Sequence, residues 1–283
     1  MNVLFCFDTN YEQHFGAAVT SLILNNPEVQ KDIYIITNQV SSDFRSKLDE
    51  FNDFPNLNFY TYEVEENSLK QLRVAAHISL ATYYRLVAVN FLPKTIDKLL
   101  YLDSDLIVNG SILELYNLDI SKYIVAACGG RVVTTKARLD LKSDFYFNAG
   151  VILFNFSLWR EQAIADQCLQ WLAENSRLAK YMDQDALNKI IDGRFLNLDR
   201  RWNSLVDLSE GTSHVSKESI IIHFVGSLKP WHSWCIAHER ALYWRYLKLS
   251  PWSKARPEIP RNSKKALAAA RALYHQIRKR VVS

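Results

Sequence analysis

The chain has 283 residues, of which 48% are hydrophobic and 12% aromatic, and it contains only 8 Gly and 7 Pro. This composition supplies enough apolar surface to offset chain entropy, which excludes an intrinsically disordered protein. No run approaches the ~18 uninterrupted apolar residues of a membrane span. The start MNVLFCFD has no basic segment before its apolar run, so we predict neither a transmembrane helix nor a signal peptide.

The formal net charge of +4 is distributed unevenly along the chain. Residues 240–283 contain twelve Lys or Arg and one acidic residue, Glu258, whereas residues 1–239 are net acidic. The acidic main body argues against a nucleic-acid partner, and the asymmetry predicts different partners for the two parts. The four cysteines form no CxxC pair, which argues against a zinc ribbon or a redox motif and favours a reducing compartment.

The first quarter of the chain alternates between predicted strands and helices. Apolar or β-branched runs predict strands at Val3–Phe7 and Asp32–Thr37. Apolar residues at helical spacing predict a helix at Tyr11–Asn25 between them. Ser41–Phe51 is then predicted as a helix and Leu57–Tyr62 as an alternating strand. This order is typical of βαβ units.

The same rhythm continues towards the C-terminus. Ala81–Phe91 has a helical pattern, and Lys98–Leu102 (KLLYL) is a continuous apolar strand that ends on Asp103. Further buried strands are predicted at Ile124–Cys128, Val151–Phe154 and Ile220–Phe224, and further helices at Ser157–Asn175 and Asp183–Ile191. Together the elements predict an α/β fold with a mostly parallel sheet flanked by helices, and a ligand crevice at the carboxyl ends of the strands.

A nucleotide is the usual occupant of such a crevice, but the common phosphate-binding loops are missing from the sequence. The chain has neither a GxGxxG motif nor a Walker A motif (GxxxxGKS or GxxxxGKT). A phosphate group must therefore be held by other residues.

Two carboxylates at spacing two, Asp103 and Asp105, lie between apolar segments in YLDSDLIV. Acids at a buried strand end repel each other and lose hydration, which costs several kcal/mol unless a cation joins them. Binding of a hard divalent ion such as Mg²⁺ or Mn²⁺ is the simplest way to offset this repulsion and lost hydration. A DxD pattern also occurs by chance, in calcium loops and in phosphatases, so this motif alone does not decide the function.

The segment HFVGSLKPW adds a second group of polar residues after an apolar run. His223 follows three isoleucines, and such a histidine is often a satisfied core residue. Here Gly226 permits close backbone approach and Lys229 supplies a positive charge, which together suit a pyrophosphate leaving group. An imidazole nitrogen beside the carboxylates would favour Mn²⁺ over Mg²⁺.

Four segments together resemble retaining glycosyltransferase family 8, which includes bacterial lipopolysaccharide galactosyl- and glucosyltransferases and, more distantly, glycogenin. These segments are YLDSD at 101–105, FNAGVILFN at 147–155, DQDALN at 183–188 and HFVGSLKPW at 223–231. The resemblance extends from residue 3 to about residue 248, with the motifs in the family's order and spacing. It implies a GT-A-type, Rossmann-like fold and transfer of galactose or glucose from a UDP-sugar to a glycan or glycolipid acceptor.

The resemblance also implies roles for individual residues. The expected Mn²⁺ ligands are Asp103, Asp105 and His223, with Mg²⁺ as a possible alternative ion. Asp8 and Asn10 are expected to contact the nucleoside of the donor, and Gly226 and Lys229 its pyrophosphate. Asn148, Asp183 and Gln184 are expected to contact the hexose. Further expected donor contacts are Arg85, Asp103 and Ser104. Arg85 has the alternative reading of a surface cation on a helix.

The expected catalytic residues are Gln184, Asp185 and Lys229. Gln184 lies where a nucleophile would be expected, but an amide is a poor nucleophile, and the family is usually described by front-face displacement. Asp185 would act electrostatically or structurally. Lys229 and the metal would neutralise charge on the departing nucleoside diphosphate, and the leaving phosphate oxygen could accept the acceptor's proton.

The C-terminal part, residues 249–283, is predicted to be a basic amphipathic tail on a nucleotide-sugar-binding catalytic domain of residues 1–248. Its helix has an apolar stripe with basic neighbours, comprising Leu267, Ala270, Tyr274, Ile277 and Val281. This pattern is typical of an interfacial helix that binds anionic lipid. We therefore expect a cytoplasmic enzyme held peripherally on the inner face of the cytoplasmic membrane; a solvated helix or partner-binding arm is the alternative.

Two other function classes remain open at the level of sequence. A nucleotide-sugar-binding protein without transfer activity would keep the metal site, although intact Gln184, Asn148 and Lys229 argue against it. A metal-dependent phosphohydrolase could use the DxD motif but would not explain HFVGSLKPW. The stretch 129–144 departs from the family's galactosyltransferases, so no acceptor residue can be assigned, and a lipopolysaccharide or lipooligosaccharide core is the expected acceptor.

Overall fold

The computed structural model describes residues 1–65, 79–209 and 215–282, with side chains described as far as Lys279. The described chain forms two compact units. Unit 1 contains Met1–Glu12, Glu28–Asp103 and Leu113–Asp199, and unit 2 contains Gln13–Pro27, Ser104–Ile112 and Arg200–Ser283.

Unit 1 is built on a seven-stranded sheet in the order β3-β2-β1-β4-β7-β6-β8. The strands are β1 (Asn2–Cys6), β2 (Lys31–Thr37), β3 (Leu57–Glu63), β4 (Lys98–Leu102), β6 (Val125–Arg131), β7 (Phe145–Asn155) and β8 (Phe195–Asn197). Neighbouring strands run parallel, except that β7 is antiparallel to both β4 and β6. The mostly parallel α/β sheet predicted from the sequence is confirmed.

The helices of unit 1 supply the residues that pack against this sheet. They are α2 (Ser42–Asp49), α3 (Tyr84–Val87), α4 (Leu113–Asn117), α5 (Val133–Leu139), α6 (Phe156–Glu161), α7 (Ile164–Glu174) and α8 (Met182–Ile191). The core joins apolar residues of the strands to buried side chains of α3, α6, α7 and α8, including Tyr84, Trp159 and Leu187. Unit 1 thus has one continuous hydrophobic core of its own.

Two predicted helices are wrong in detail. The predicted helix Ala81–Phe91 is a 3₁₀ turn at Leu80–Tyr83, the short α3, and a second 3₁₀ turn at Ala88–Asn90, because its aromatic and β-branched residues are poor helix formers. The predicted helix Ser157–Asn175 is split into α6 and α7 by Ala163, which has a φ of 48°. The break lets both Trp159 and Ile164 be buried.

Unit 2 has a smaller three-stranded sheet in the order β5-β10-β9. Its strands are β5 (Leu106–Val108), β9 (Ser204–Val206) and β10 (Ile221–Phe224), and its helices are α1 (Glu12–Asn25, in unit 2 from Gln13 onward), α9 (Arg240–Lys248) and α10 (Ser263–Val282). The central strand β10 is parallel to β9 and antiparallel to β5. It carries His223, which is buried.

Residues beyond 248 pack within unit 2. Trp252 is buried and its ring packs edge-on against Phe15 in α1. Among the side chains of α10 that the structure describes, Ala269 and Gln276 are buried, whereas Leu267, Tyr274 and Ile277 of the predicted apolar stripe are exposed. The side chain of Val281 lies outside the described residues. None of the described helices has a stretch both long and apolar enough to cross a bilayer.

Candidate active site

The carboxyl edge of β1 and β4 carries the first group of predicted site residues. The two strands are parallel neighbours, so Asp8 and Asp103, which follow them, lie at the same edge of the sheet. Strand β7 runs in the opposite direction, and the Asp103 amide donates to the Gly150 carbonyl at 2.8 Å. This pairing brings the Asn148 end of β7 to that edge, so the sheet itself groups residues far apart in sequence.

Asp8 caps the 3₁₀ turn Thr9–Tyr11 that follows β1. Its Oδ1 accepts a hydrogen bond from the Asn10 amide at 2.9 Å, and Asn38 Oδ1 accepts one from the Thr9 amide at 3.0 Å. Asp8 is buried, whereas Asn10 is exposed. The backbone of this turn is therefore fixed from two sides. The nucleoside contacts expected of Asp8 and Asn10 remain predictions.

Arg85 is a buried cation that joins two predicted site carboxylates. Its Nη2 lies 3.1 Å from Asp103 Oδ1 and its Nε lies 2.9 Å from Asp183 Oδ2. A third nitrogen, Nη1, donates to the carbonyl of Ala149. Only 7% of Arg85 is exposed, so the alternative of a surface cation is wrong.

The electrostatics of this cluster keep Arg85 charged. Burial acts to lower the pKa of Arg85, but Asp183, Tyr101 and Asp103 outweigh it and raise the pKa above its usual value. The guanidinium lies 4.1 Å from the centre of the Tyr101 ring. Burial also raises the pKa of Tyr101, so its hydroxyl stays protonated and donates to Asp103 Oδ1 at 2.5 Å. Tyr101 and Arg85 together orient the Asp103 carboxylate.

Gln184 and Asn148 are in contact through their amide groups. Gln184 Oε1 accepts from Asn148 Nδ2 at 3.2 Å and from the Ala149 amide at 3.0 Å. Gln184 Nε2 donates to the Tyr146 hydroxyl at 2.9 Å. These bonds fix both amides, since Asn148 Oδ1 also accepts from the Gly150 amide. Gln184 is thus held by hydrogen bonds in the first turn of α8, beside the buried Asp183.

Asp185 is fully buried and accepts several hydrogen bonds. Its two oxygens accept from Arg138 at 2.7 and 3.0 Å, and Oδ1 also accepts from the Tyr146 hydroxyl at 2.7 Å. The Tyr181 amide donates to Oδ2 at 2.9 Å. Because Tyr146 bonds both Asp185 and Gln184, this geometry favours a positioning role for Asp185, the structural one of its two predicted roles.

The predicted metal ligands Asp103, Asp105 and His223 lie together. Each offers one ligand atom, and these atoms all lie within 4.8 Å of one another. Two carboxylates and an imidazole suit Mn²⁺ and tolerate Mg²⁺. Between the two aspartates, Ser104 is buried and no partner for its hydroxyl occurs among the described residues. The donor set and this unsatisfied hydroxyl both fit a site that binds a cation together with an oxygen-rich ligand.

Asn203 sets the orientation of His223. The Nδ1 atom of His223 lies 3.0 Å from Asn203 Oδ1, and its Nε2 atom lies 3.1 Å from Asp105 Oδ1. Because an amide oxygen only accepts hydrogen bonds, the contact favours the tautomer with the proton on Nδ1. Nε2 is then the atom that can bind a cation.

Lys229 is held in unit 2 next to Asp105. Its Nζ donates to Asp105 Oδ2 at 2.7 Å and to the Phe224 carbonyl at 2.5 Å. Burial acts to raise the pKa of Asp105, but Lys229 and His223 outweigh it and hold this pKa well below its usual range. Asp105 is therefore ionised at neutral pH, as a metal ligand must be.

Gly226 lies between His223 and Lys229 at a backbone position that favours glycine. Its φ is 78°, and a Cβ added there would approach Asp207 Oδ2 to 3.0 Å. Asp207 in turn accepts from the amide and hydroxyl of Ser209. Both the left-handed backbone and the nearby carboxylate disfavour any larger residue. The predicted close approach of a pyrophosphate to Gly226 stays a prediction.

Several residues that hold the predicted site residues had no predicted site role of their own. These are Thr82, Tyr101, Arg138, Tyr146 and Asn203. Tyr101 lies within the YLDSD motif, and Arg138 lies within the stretch 129–144, where no acceptor residue could be assigned from sequence. Asn203 had no sequence signal, since it lies 20 residues before His223 in no recognised motif.

Comparison with known proteins places these features in a family. The family model described as glycosyl transferase family 8 matches residues 2–235. A lipopolysaccharide 1,2-glucosyltransferase of Escherichia coli (strain K12) is 28% identical over 289 residues, covering 97% of this chain and 85% of that protein. A lipopolysaccharide 1,3-galactosyltransferase of Salmonella typhimurium is 26% identical over 289 residues, covering 97% and 86%.

A solved structure with the same fold is that of the galactosyltransferase LgtC in complex with donor and acceptor sugar analogs. It has a TM-score of 0.76 and 24% sequence identity, and the match covers 88% of this chain and 96% of that chain. The likeness confirms the fold predicted from the sequence.

Proposed function

Since this chain belongs to glycosyl transferase family 8, we propose that it transfers galactose or glucose from a UDP-hexose to a lipopolysaccharide or lipooligosaccharide core, with retention of the anomeric configuration. The observation that carries the proposal is the Asp103, Asp105 and His223 cluster with Lys229 bonded to Asp105. Two carboxylates, an imidazole and an ammonium group suit a metal-bound diphosphate.

The acceptor class follows from the relatives. The similar proteins of Escherichia coli and Salmonella typhimurium carry names that specify lipopolysaccharide glucosyl- and galactosyltransfer. The two hexoses differ only in the orientation of the C4 hydroxyl, so a small change in hydrogen bonding separates them. We favour galactose slightly as the donor sugar.

Asp103, Asp105 and His223 would hold Mn²⁺, with Mg²⁺ as the alternative. When bound, the ion supplies positive charge that offsets the charge growing on the departing diphosphate. Arg85 and Tyr101 keep Asp103 in a fixed orientation, and Asn203 does the same for His223. Ligands fixed in this way require little rearrangement when the ion binds.

Lys229 would stabilise the leaving group directly. Its ammonium group donates to Asp105, so it lies where a diphosphate oxygen beside Asp105 would receive a charge-assisted hydrogen bond. Gly226 would let the backbone approach the pyrophosphate, Ser104 would donate its hydroxyl to the donor, and Asp8, Asn10 and Arg85 would complete the donor contacts.

Gln184 would face the hexose with Asn148 and Asp183. The Gln184 amide is held by Tyr146 and the Ala149 amide, and a carboxamide is a poor nucleophile. This supports a front-face displacement in which the leaving phosphate oxygen accepts the proton of the acceptor hydroxyl. Asp185, bonded to Arg138, keeps α8 and Gln184 in place.

We further propose that residues 249–283 hold the enzyme on the inner face of the cytoplasmic membrane. The exposed side chains Leu267, Tyr274 and Ile277 of α10 have Arg271 and Arg278 as exposed neighbours. Each Lys or Arg near an anionic leaflet contributes about 1 kcal/mol, and exposed apolar side chains between them can enter the headgroup region.

A donor screen tests the proposed function. UDP release is measured from UDP-galactose, UDP-glucose and UDP-N-acetylglucosamine, each with Mn²⁺ and with EDTA, with and without lipooligosaccharide acceptor. We expect Mn²⁺-dependent turnover of one UDP-hexose, stimulated by the acceptor. Tight Mn²⁺-dependent UDP binding without turnover of any donor would contradict the proposal and favour a UDP-sugar-binding protein.

A further inference from the structure

The segment Trp231–Ile236 follows Lys229 and Pro230 directly, and residues beyond position 248 hold it at two points. All of these residues belong to unit 2. From sequence, residues 249–283 are predicted to be a membrane-associated tail, with a solvated helix or partner-binding arm as the alternative. Contacts of Glu258 and Gln276 connect this tail to Lys229, the residue proposed to stabilise the leaving group.

Glu258 provides the first point of attachment. Its amide donates to the Trp231 carbonyl at 2.9 Å, and its carbonyl accepts from the Ser233 amide at 2.9 Å. Its side-chain Oε1 lies 3.5 Å from Nε2 of the buried His14, whose ring stacks on that of Trp231 with centroids 3.5 Å apart. Glu258 therefore pairs with this segment through its backbone and supports it through His14.

Gln276 in α10 provides the second point of attachment. Its Oε1 accepts from the Ile236 amide at 3.0 Å, and its Nε2 donates to the Trp234 carbonyl at 3.1 Å. Gln276 is only 2% exposed. A buried amide is costly unless its hydrogen bonds are made, so Gln276 specifies this arrangement of α10 and the segment.

His232 connects the held segment to Lys229. The His232 ring stacks on the Trp234 ring with centroids 4.2 Å apart and an interplanar angle of 18°. Its Nδ1 accepts a hydrogen bond from the Lys229 amide at 3.1 Å. The Lys229 side chain in turn donates to Asp105 and to the Phe224 carbonyl. A continuous set of contacts thus runs from Gln276 to the ammonium group.

We propose that His232 and Gln276 are positioning residues for Lys229, so that the C-terminal segment is a structural part of the donor site. This inference rests on the proposed role of Lys229 in stabilising the leaving group. A charged group must be held within about 0.5 Å of its productive position to stabilise the developing charge effectively. A displacement of about 1 Å can lower a rate by roughly 100-fold.

The test compares five variants of the full-length protein with the wild type. Gln276→Met removes both hydrogen bonds at similar volume, and His232→Leu removes the acceptor. His232→Asn keeps an acceptor oxygen close to the position of Nδ1. His275→Met changes an exposed neighbour on α10 and is the matched control, and Lys229→Ala is the reference for complete loss of the ammonium group.

The readouts are kcat and KM for UDP-hexose turnover and the hydrogen exchange of the Lys229 and Ile236 amides. For Gln276→Met and His232→Leu we expect kcat to fall about tenfold or more, with a small change in KM, because the ammonium group acts mainly in the transition state. Gln276→Met should also speed exchange of both amides. His232→Asn should recover most of the lost kcat, and His275→Met should match the wild type.

The outcomes separate this inference from the proposed function. If Lys229→Ala lowers kcat while Gln276→Met and His232→Leu match the wild type, the positioning inference is wrong and the proposed function stands. If Lys229→Ala leaves kcat unchanged, the role proposed for Lys229 is wrong and the positioning inference fails with it. Equal losses in the His232→Leu and His232→Asn variants would also overturn the role of the His232 acceptor.

Discussion

At the scale of single residues, two of the predicted metal ligands, Asp103 and His223, are held by neighbouring side chains that orient them. Tyr101 and Arg85 fix the Asp103 carboxylate, and Asn203 fixes the His223 ring. Such supporting residues decide whether ligand atoms are ready to bind, and their removal typically weakens metal affinity by about 10- to 100-fold. Substitutions at the supporting residues therefore test the site without touching the ligands.

Asn203→Leu should weaken Mn²⁺ binding by about 10-fold or more, because His223 loses the acceptor that favours its Nδ1 tautomer. Asn203→Asp keeps an acceptor oxygen and should stay close to the wild type. Titration of Mn²⁺ followed by electron paramagnetic resonance measures the affinity without depending on turnover. Wild-type affinity in the leucine variant would show that Asn203 does not orient the ligand.

The pKa of His232 predicts a pH dependence of stability. Burial lowers this pKa to about 4. Glu258 opposes the shift, whereas Lys229, His14 and Lys265 act in the same direction as burial. The unfolded histidine has its ordinary pKa near 6.5, so between these values the unfolded state binds more protons. Stability from neutral His232 is therefore present above about pH 6.5 and is lost as the pH falls towards 4.

The measurement is the melting temperature of the wild type and His232→Asn between pH 7.5 and 4. Because asparagine does not titrate, the advantage of the wild type should be largest at pH 7 and above and should shrink as the pH falls through 6.5. Carboxylates titrate in both proteins, so the pH dependence of the difference in melting temperature reports on His232 alone. A difference that is constant with pH would contradict the assignment.

At the scale of elements, the C-terminal segment packs against α1 as an integral part of unit 2. A Cβ on Gly16 would lie 2.3 Å from Trp252 Cε3, and the Trp252 side chain is buried. The absence of a side chain at Gly16 thus allows the indole to lie directly on the helix backbone. The contact joins residues 236 positions apart, so a substitution in α1 should alter the packing of the C-terminal segment.

Gly16→Ala should destabilise the protein, because overpacking of a buried contact typically costs about 1–3 kcal/mol. The better helix propensity of alanine offsets at most about 1 kcal/mol of that cost. Urea unfolding followed by tryptophan fluorescence measures the change. Gly130→Ala is the matched control, because nothing lies within 4 Å of a Cβ at Gly130. Equal midpoints for the two variants would rule out the proposed close contact.

The sequence predicts elements well where one local pattern dominates. Lys98–Leu102 was predicted with its observed bounds, and β1 was displaced by a single residue, because continuous apolar runs identify buried strands. The break at Ala163 could not be predicted, since neither glycine nor proline marks it. The Arg138 contact with Asp185 joins residues 47 positions apart, and no local pattern encodes such a partner.

At the scale of the whole molecule, the proposed membrane role and the proposed catalytic role depend on different faces of the C-terminal segment. Gln276 of α10 is buried, whereas Leu267, Tyr274 and Ile277 are exposed. Three residues of the predicted apolar stripe are exposed on α10, but an amphipathic pattern does not say whether the stripe or the opposite face packs inward. That choice depends on the partner surface, here the segment bonded to Gln276.

Replacing Leu267, Tyr274 and Ile277 by glutamate should abolish sedimentation with vesicles that contain anionic lipid, because apolar insertion is lost and negative charge is added. Turnover of a UDP-hexose in solution should persist, since these side chains are exposed. Leu178→Glu, at an exposed position of unit 1, is the control. Unchanged vesicle binding by the triple variant would contradict the membrane role.

The proposed function depends most on whether Asp103, Asp105 and His223 hold a metal that is needed for turnover of a UDP-hexose. The direct measurement is turnover against Mn²⁺ concentration for the wild type and for Asp105→Asn, with Asp207→Asn as a nearby carboxylate outside the cluster. We predict Mn²⁺-dependent turnover that EDTA abolishes, a loss of about 100-fold or more in Asp105→Asn, and a much smaller loss in Asp207→Asn. Turnover that persists in EDTA, or that is equal in both variants, would contradict the proposed metal site.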